Sequence, residues 1–158
     1  MAAAASRVYT VSMTRVSVSG AITLIQIKAG ASVPLQIIRA VIGQSSSTTS
    51  TQQPVQINRK SAAATVTSFT PLTNGPSTDP SASAAGGTSA TSITATSEGT
   101  DGNILRQDVW NYLNGWLFLP TPKEYLFVDG AGILGLKLPI APGSAVTLTA
   151  DVIFEELA

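Results

Sequence analysis

The sequence predicts an all-β protein: a single antiparallel β-sandwich or jelly roll of about eight strands, with one long loop rich in Ser, Thr, Gly and Pro. Three observations carry this expectation. Short apolar runs alternate at a period of two, turn residues separate them at close intervals, and no segment sustains a convincing helical period. The chain of 158 residues has the length of one domain. It can bury about 68–70% of its unfolded surface without the help of a disulfide or metal. Residues 1–158 therefore read as one jelly-roll domain, with 1–6 (MAAAAS) as a flexible arm.

The elements follow in order. The first strand covers Val8–Val18, apolar at 9, 11 and 13 and again at 16 and 18; the slip of parity at Thr14-Arg15 predicts a bulge or a crossing between sheets. A second run covers 22–27 and is closed by Gly30. The third, over 33–42, is rich in β-branched residues, and Pro34 places its start at an edge or at the first strand position. Residues 45–51 are all Ser or Thr and read as a loop. Val55 and Ile57 mark a short strand ending at Arg59-Lys60, and 65–70 another, stopped by Pro71. From 72 to 91 the chain is dominated by small and turn-forming residues, with Asn74-Gly75-Pro76 and Asp79-Pro80, and has almost no side chain able to fill a core. It reads as a long loop within the domain, and loops of that length are usually functional or disordered. If this one is ordered, the expectation is that something outside the chain orders it.

The second half resumes with a strand over 93–98, a turn from Gly99 to Gly102 and a strand over 104–112. Asn114-Gly115 has the chemistry of a tight hairpin turn into 116–119, and Pro120-Thr121-Pro122 breaks the ladder. Residues 107–119 also fit a helical period, with Asp101 or Asn103 as cap, but the density of Trp, Tyr, Val and Asn favours strand and turn. Short strands at 126–128 and 133–140 lead to the clearest one. There Val146, Leu148, Ala150, Val152 and Phe154 face one way, and Thr147, Thr149, Asp151 and Glu155 the other, with Ile153 the exception.

Composition excludes several kinds of chemistry. Cysteine and histidine are absent, which removes Ser-His-Asp and Cys-His catalytic units, thiol redox centres and ordinary zinc or haem sites. No cofactor and no metal are expected. Formal net charge is zero, which points to neither nucleic acid nor an anionic membrane as partner. The zero hides an asymmetry: residues 1–60 hold six bases and no acid, while 61–158 hold nine acids and three bases. Two readings are open, charges interleaved by alternating strands or two opposed docking faces. The start MAAAAS lacks a basic region and a long apolar stretch, so the expectation is synthesis in a cytoplasm without a signal peptide.

Carboxylates are the only plentiful general acids, and no spacing pairs them. Glu155 and Glu156 are adjacent on a strand and point to opposite faces. Asp101, Asp108, Asp129 and Asp151 are scattered, and Thr100-Asp-Gly-Asn103 lacks the oxygen ligands of a calcium loop. The sequence therefore predicts no enzyme. The aromatic cluster Trp110, Tyr112, Trp116 and Phe118 holds both tryptophans of the chain. It reads as one end of the core, as a subunit interface or as a platform for sugar rings, with Trp110, Tyr112 and Trp116 the candidate interface residues and at least one expected to be partly exposed.

Several weak motifs combine into a resemblance. Tyr9-Thr-Val-Ser12 enters the first strand, a Ser/Thr/Gly-rich excursion interrupts mid-chain, Leu119-Pro-Thr-Pro122 precedes a late strand, and the chain closes with Val152-Ile-Phe-Glu-Glu-Leu157. Together they resemble the small single jelly-roll capsid decoration, or cement, proteins of tailed bacteriophages. The resemblance implies a structural virion protein on the outer capsid surface. It would be a homo-oligomer, often a trimer, that bridges neighbouring copies of the major capsid protein, and the resemblance brings no catalytic residues. The alternative is a jelly-roll fibre or tail protein that binds a glycan or receptor through exposed Trp110 or Trp116.

Overall fold

The computed structural model describes residues 7–46, 50–88 and 98–157. The strands in chain order are β1 (Val8–Val18), β2 (Ile22–Lys28), β3 (Leu35–Gln44), β4 (Gln52–Ala62), β5 (Thr67–Phe69), β6 (Leu72–Thr73) and β7 (Ala85–Thr88). They continue with β8 (Thr100–Asn111), β9 (Trp116–Phe118), β10 (Leu126–Val128), β11 (Ile133–Leu138) and β12 (Val146–Glu156). Among the described residues the one helical element is a 3-10 turn at Pro122–Glu124. The helical alternative over 107–119 is replaced by β8, a turn and β9.

Two antiparallel sheets result. The first runs β10-β3-β12-β1-β6, with β9 also pairing β3; the second runs β5-β7-β2-β11-β4-β8. Counting β9 and β10 as one interrupted strand and setting aside β5, β6 and β7, the principal strands switch sheet at each step except from β4 to β8, which are neighbours in the second sheet. They pair β1 with β12, β2 with β11, β3 with β9 and β10, and β4 with β8. This is the connectivity of a jelly roll. The core lies between the sheets. Tyr9, Val11 and Met13 of β1 and the even residues 146–154 of β12 meet Ile25, Ile27, Ile57, Leu134 and Leu136, all buried. The alternation in β12 puts Val146, Leu148, Ala150, Val152 and Phe154 inside, and Ile153 points outward. Against β12 the register of β1 shifts between Met13 and Val16, where Arg15 adopts φ 51°, so the parity slip in the sequence is a bulge.

The same connectivity interleaves the charges. In the second sheet β2 and β4, from the basic first 60 residues, alternate with β11 and β8, from the acidic remainder. Arg59 thereby reaches Asp129 (3.2 Å) and Lys60 reaches Asp101 (2.7 Å). Of the two readings of the charge asymmetry, interleaving is the one the fold displays.

Three local expectations change. Asn114-Gly115 does not close a hairpin: β8 belongs to the second sheet and β9 to the first, so this turn carries the chain from one layer to the other. Gly115 has φ +67°, and a Cβ there would meet the Ile42 carbonyl at 3.1 Å. The segment from Gly99 to Gly102 is not a free turn but the irregular start of β8, whose register against β4 shifts three times. The excursion from residue 72 is held by its own chain as far as 88. β6 pairs β1, β7 pairs both β2 and β5, Tyr9 Oη donates to the Pro80 carbonyl (3.1 Å), and Ala84 N donates to the buried Glu156 carboxylate (2.7 Å). Through residue 88 it is bonded to its own chain, because small residues let the backbone lie close to the sheets and pair with them. The arm 1–6, residues 89–91 and most of the strand expected over 93–98 lie outside the described residues.

Candidate interaction surface

The three candidate aromatic residues are all buried: Trp110 is 5% exposed, Tyr112 3% and Trp116 7%. The expectation that one of them reaches solvent is therefore wrong, and the crossing at Asn114-Gly115 is the reason. β8 and β9 approach from different layers, so their inward residues meet between the sheets. Trp110 and Tyr112 are edge-to-face at 5.2 Å, and Trp116 and Phe118 are stacked at 6.3 Å. Tyr112 Oη donates to Gln53 Oε1 (2.8 Å), and Gln53 Nε2 donates to the Ile140 carbonyl (2.7 Å). Burial pushes the Tyr112 hydroxyl above its ordinary value of 10.0. These rings close one end of the core.

What reaches solvent is the neighbouring parity. Val109, Leu113, Leu117 and Leu119 are all more than half exposed. The sequence signal is the run from Trp116 to Leu119, apolar at every position, which leaves every second side chain outside whichever way the strand turns.

The register of the first sheet shows where this surface leads, because directly paired residues share a face. One row across the outer face reads Leu117, Val41, Asp151, Ser12; the next reads Arg39, Ile153, Thr10, Leu72; a third reads Phe127, Gln36, Glu155, Val8. Leu72, Leu117 and Phe127 are half or more exposed, and Val8, Val41 and Ile153 are partly so. Three shallow depressions join on this side. One of about 410 Å³ lies between β8 and β9–β10 and includes Leu105, Leu117, Leu119 and Leu126. A second shares Leu117 with it, and a third of about 230 Å³ shares Arg39 and Val41 with the second. The outer face of the first sheet thus mixes exposed aliphatic groups and hydroxyls with the charged side chains of Arg39, Asp151 and Glu155.

The second sheet has the opposite outer face. Gln26, Gly135 and Asn58 form one row across it, and Lys60 and Lys137 lie on the same face; all are buried. The connections into and out of the excursion cross over them. Ala64 N donates to Gln26 Oε1 (2.8 Å), and Glu98 Oε2 accepts from Thr23 N and Oγ1 (2.7 and 2.6 Å). Lys60 Nζ, whose side chain is 0% exposed, donates to the Glu98 carbonyl and to Asp101 Oδ1, both at 2.7 Å, and Lys137 Nζ donates to the other Asp101 oxygen. Burial pushes the Asp101 carboxyl up, but hydrogen bonds from Lys137 and Lys60 and the Lys60 charge outweigh it and bring it down from 3.8 to about 2. The carboxylates elsewhere also hold structure: Asp108 accepts from Arg106 and from Trp116 Nε1, Glu124 caps the 3-10 turn through Thr121, and Glu155 accepts from Gln36.

Among the described residues no group of three or more acidic side chains is placed to hold a metal ion, and no helix is long and apolar enough to cross a membrane. Compared with models of protein families, with curated proteins and with solved structures, the chain gives no match.

Proposed function

We propose that this protein is a non-enzymatic structural part of a virion, decorating the outer surface of a phage capsid and bridging neighbouring copies of the major capsid protein. The observation that supports the reading best is the contrast of the two outer faces: a jelly roll that covers the polar centre of one sheet with its own chain and leaves Leu72, Leu117 and Phe127 exposed among hydroxyls and charges on the other. Such a face suits repeated contact more than turnover. A contact of about 1,000 Å² or more per copy gives a stable interface, and repetition over a lattice turns modest affinity into avidity. The carboxylates engaged by lysine, arginine and backbone partners belong to the architecture in this reading. Glycan binding through the aromatic cluster finds no support, since Trp110 and Trp116 are both buried.

The test mixes purified protein with mature or expanded phage heads. The expected result is saturable binding at a fixed number of copies per capsomer, lost when Leu117 and Phe127 are replaced by Ser. Absence of binding, with retention on a glycan array, overturns the reading.

A further inference from the structure

β8 is the terminal strand of the second sheet, 12 residues long, and pairs only with β4 among the described strands. A strand of that length presents a row of unpaired N–H and C=O groups, and natural proteins ordinarily guard such an edge with like charges, proline or a covering segment. The charges on β8 are of another kind. Arg106 and Asp108 flank Gln107 and already form a bidentate pair within the strand, Nε to Oδ2 at 2.9 Å and Nη2 to Oδ1 at 3.1 Å. Outside them lie apolar residues on both sides, Ile104-Leu105 before and Val109-Trp110 after, with Ile104 52% and Val109 60% exposed.

The order apolar, basic, neutral, acidic, apolar is self-complementary when read against its own reverse. Placed antiparallel about a twofold axis through Gln107, each Arg106 faces Asp108 of the second copy, and the two Gln107 residues face each other. Parallel pairing in register would instead set like charge against like, which is destabilising. Residues 106–111 hold regular register on β4, so the centre of the edge is a straight template. Beside it lies a groove lined by Leu105, Leu117, Leu119 and Leu126 together with the charged Arg106 and Glu124. A contact in which the same patch serves both partners is what twofold symmetry requires.

We propose that a second copy of this chain pairs antiparallel along β8, joining the second sheets of two molecules about an axis at Gln107. This deepens the reading above by naming one contact between copies. It is tested on purified full-length protein without shells, so its failure and the failure of the capsid reading are separable. The expected solution mass by light scattering is twice the 16.2 kDa of the chain. Arg106→Asp sets two acids against two, and Asp108→Arg sets two bases against two, so each variant alone weakens dimerisation by more than about tenfold. Mixing the two variants restores opposite charges at both positions, and a heterodimer forms at wild-type concentration. Gln107→Lys, which leaves the ion pair intact, places two lysines together on the axis, provides the same loss by a second route and serves where an ion-pair variant fails to fold. Circular dichroism confirms the fold of each variant. A monomeric or trimeric wild type overturns the proposal, as do single variants that stay dimeric or a mixture of folded variants that does not pair.

Discussion

The outer faces of the two sheets are built from different strands of one chain and meet solvent in different ways. The second sheet carries Gln26, Thr23, Asn58, Lys60 and Lys137 on or beside its covered face, groups that are costly to bury unless paired. The chain supplies Gln26, Thr23, Lys60 and Lys137 with partners at Ala64, Glu98 and Asp101. The first sheet carries Leu117, Val41, Ile153 and Phe127, which need no hydrogen-bond partner and receive no cover from the described chain. A segment of Ser, Ala, Gly and Thr covers polar surface well, because its backbone and small side chains satisfy hydrogen bonds at close range. It covers aliphatic surface poorly, having little apolar area to add. The connections at Ala64 and at Glu98 to Asp101 therefore lie where the sheet offers them polar work, and the aliphatic groups of the first sheet stay uncovered by the described chain.

The largest expected effect tests whether the covered face depends on its charge cluster. Asp101→Ala removes the only carboxylate shared by Lys60 and Lys137 and leaves the fully buried Lys60 ammonium with a carbonyl alone. Breaking a buried pair on one side is strongly destabilising. After discounting for the partial exposure of Asp101, the expected loss is about 3 kcal/mol, or roughly 6–12 °C in Tm for a domain of this size. Lys60→Met, which removes the buried charge and keeps the apolar stem, costs less than half of that. Thermal unfolding of the two variants side by side decides the point; equal losses would mean that Asp101 acts through packing alone.

Next in size is Gly99→Ala, at the point where the excursion returns to β4. Gly99 has φ +66°, and an added Cβ would lie 2.2 Å from the Ala62 carbonyl oxygen, so both the conformation and the contact resist a side chain. A destabilisation of about 2 kcal/mol is expected. Hydrogen exchange should quicken at Thr23 and Ala64, where the cover is bonded, and stay slow along β1 and β12.

Acid gives a smaller, graded test. The folded Asp101 carboxyl titrates at about 2, below its ordinary 3.8, so the unfolded chain takes up this proton first. The stabilisation from Asp101 is complete above about pH 4 and fades as pH falls toward 2. Wild-type protein should lose more stability between pH 4 and 2 than Asp101→Asn, as measured by urea midpoints. Parallel curves would remove the cluster as the cause.

The sequence made this division legible only in part. Strand β12 announced itself through five apolar residues at a period of two, and the bulge at Arg15 through one slip of parity, because both signals are local. The crossing at Asn114-Gly115 was hidden: turn chemistry specifies φ near +60° but not which sheet the next strand joins. The burial of Trp110, Tyr112 and Trp116 followed from that crossing. The cover was hidden for a different reason. Ser, Ala and Gly carry no periodicity, and the bonds that fix the cover, such as Ala64 to Gln26 and Glu98 to Thr23, join residues 38 and 75 positions apart through backbone or single polar atoms.

The smallest expected effect on stability falls on the open face and is the one that bears on its role. Leu117 is 56% exposed and Phe127 50%, so each already spends half its surface in water when the protein is folded. Replacing either by Ser forfeits little burial, and the change in stability should stay within about 0.5 kcal/mol for Leu117 and only slightly more for the larger ring. If this face meets a partner, the same side chains lie near the centre of that contact, where a truncated aromatic or aliphatic anchor commonly costs 1–2 kcal/mol or more. Leu117→Ser and Phe127→Ser together should therefore lower affinity for phage heads by at least about tenfold while the unfolding midpoint barely moves. A matched pair on the covered face, Gln26→Ala and Thr23→Ala, should do the reverse, lowering stability and leaving affinity per folded molecule unchanged. A pair of variants on the open face that unfolds the protein would instead mean that this face belongs to the core's support, and the difference between the two sheets would be one of packing and not of purpose.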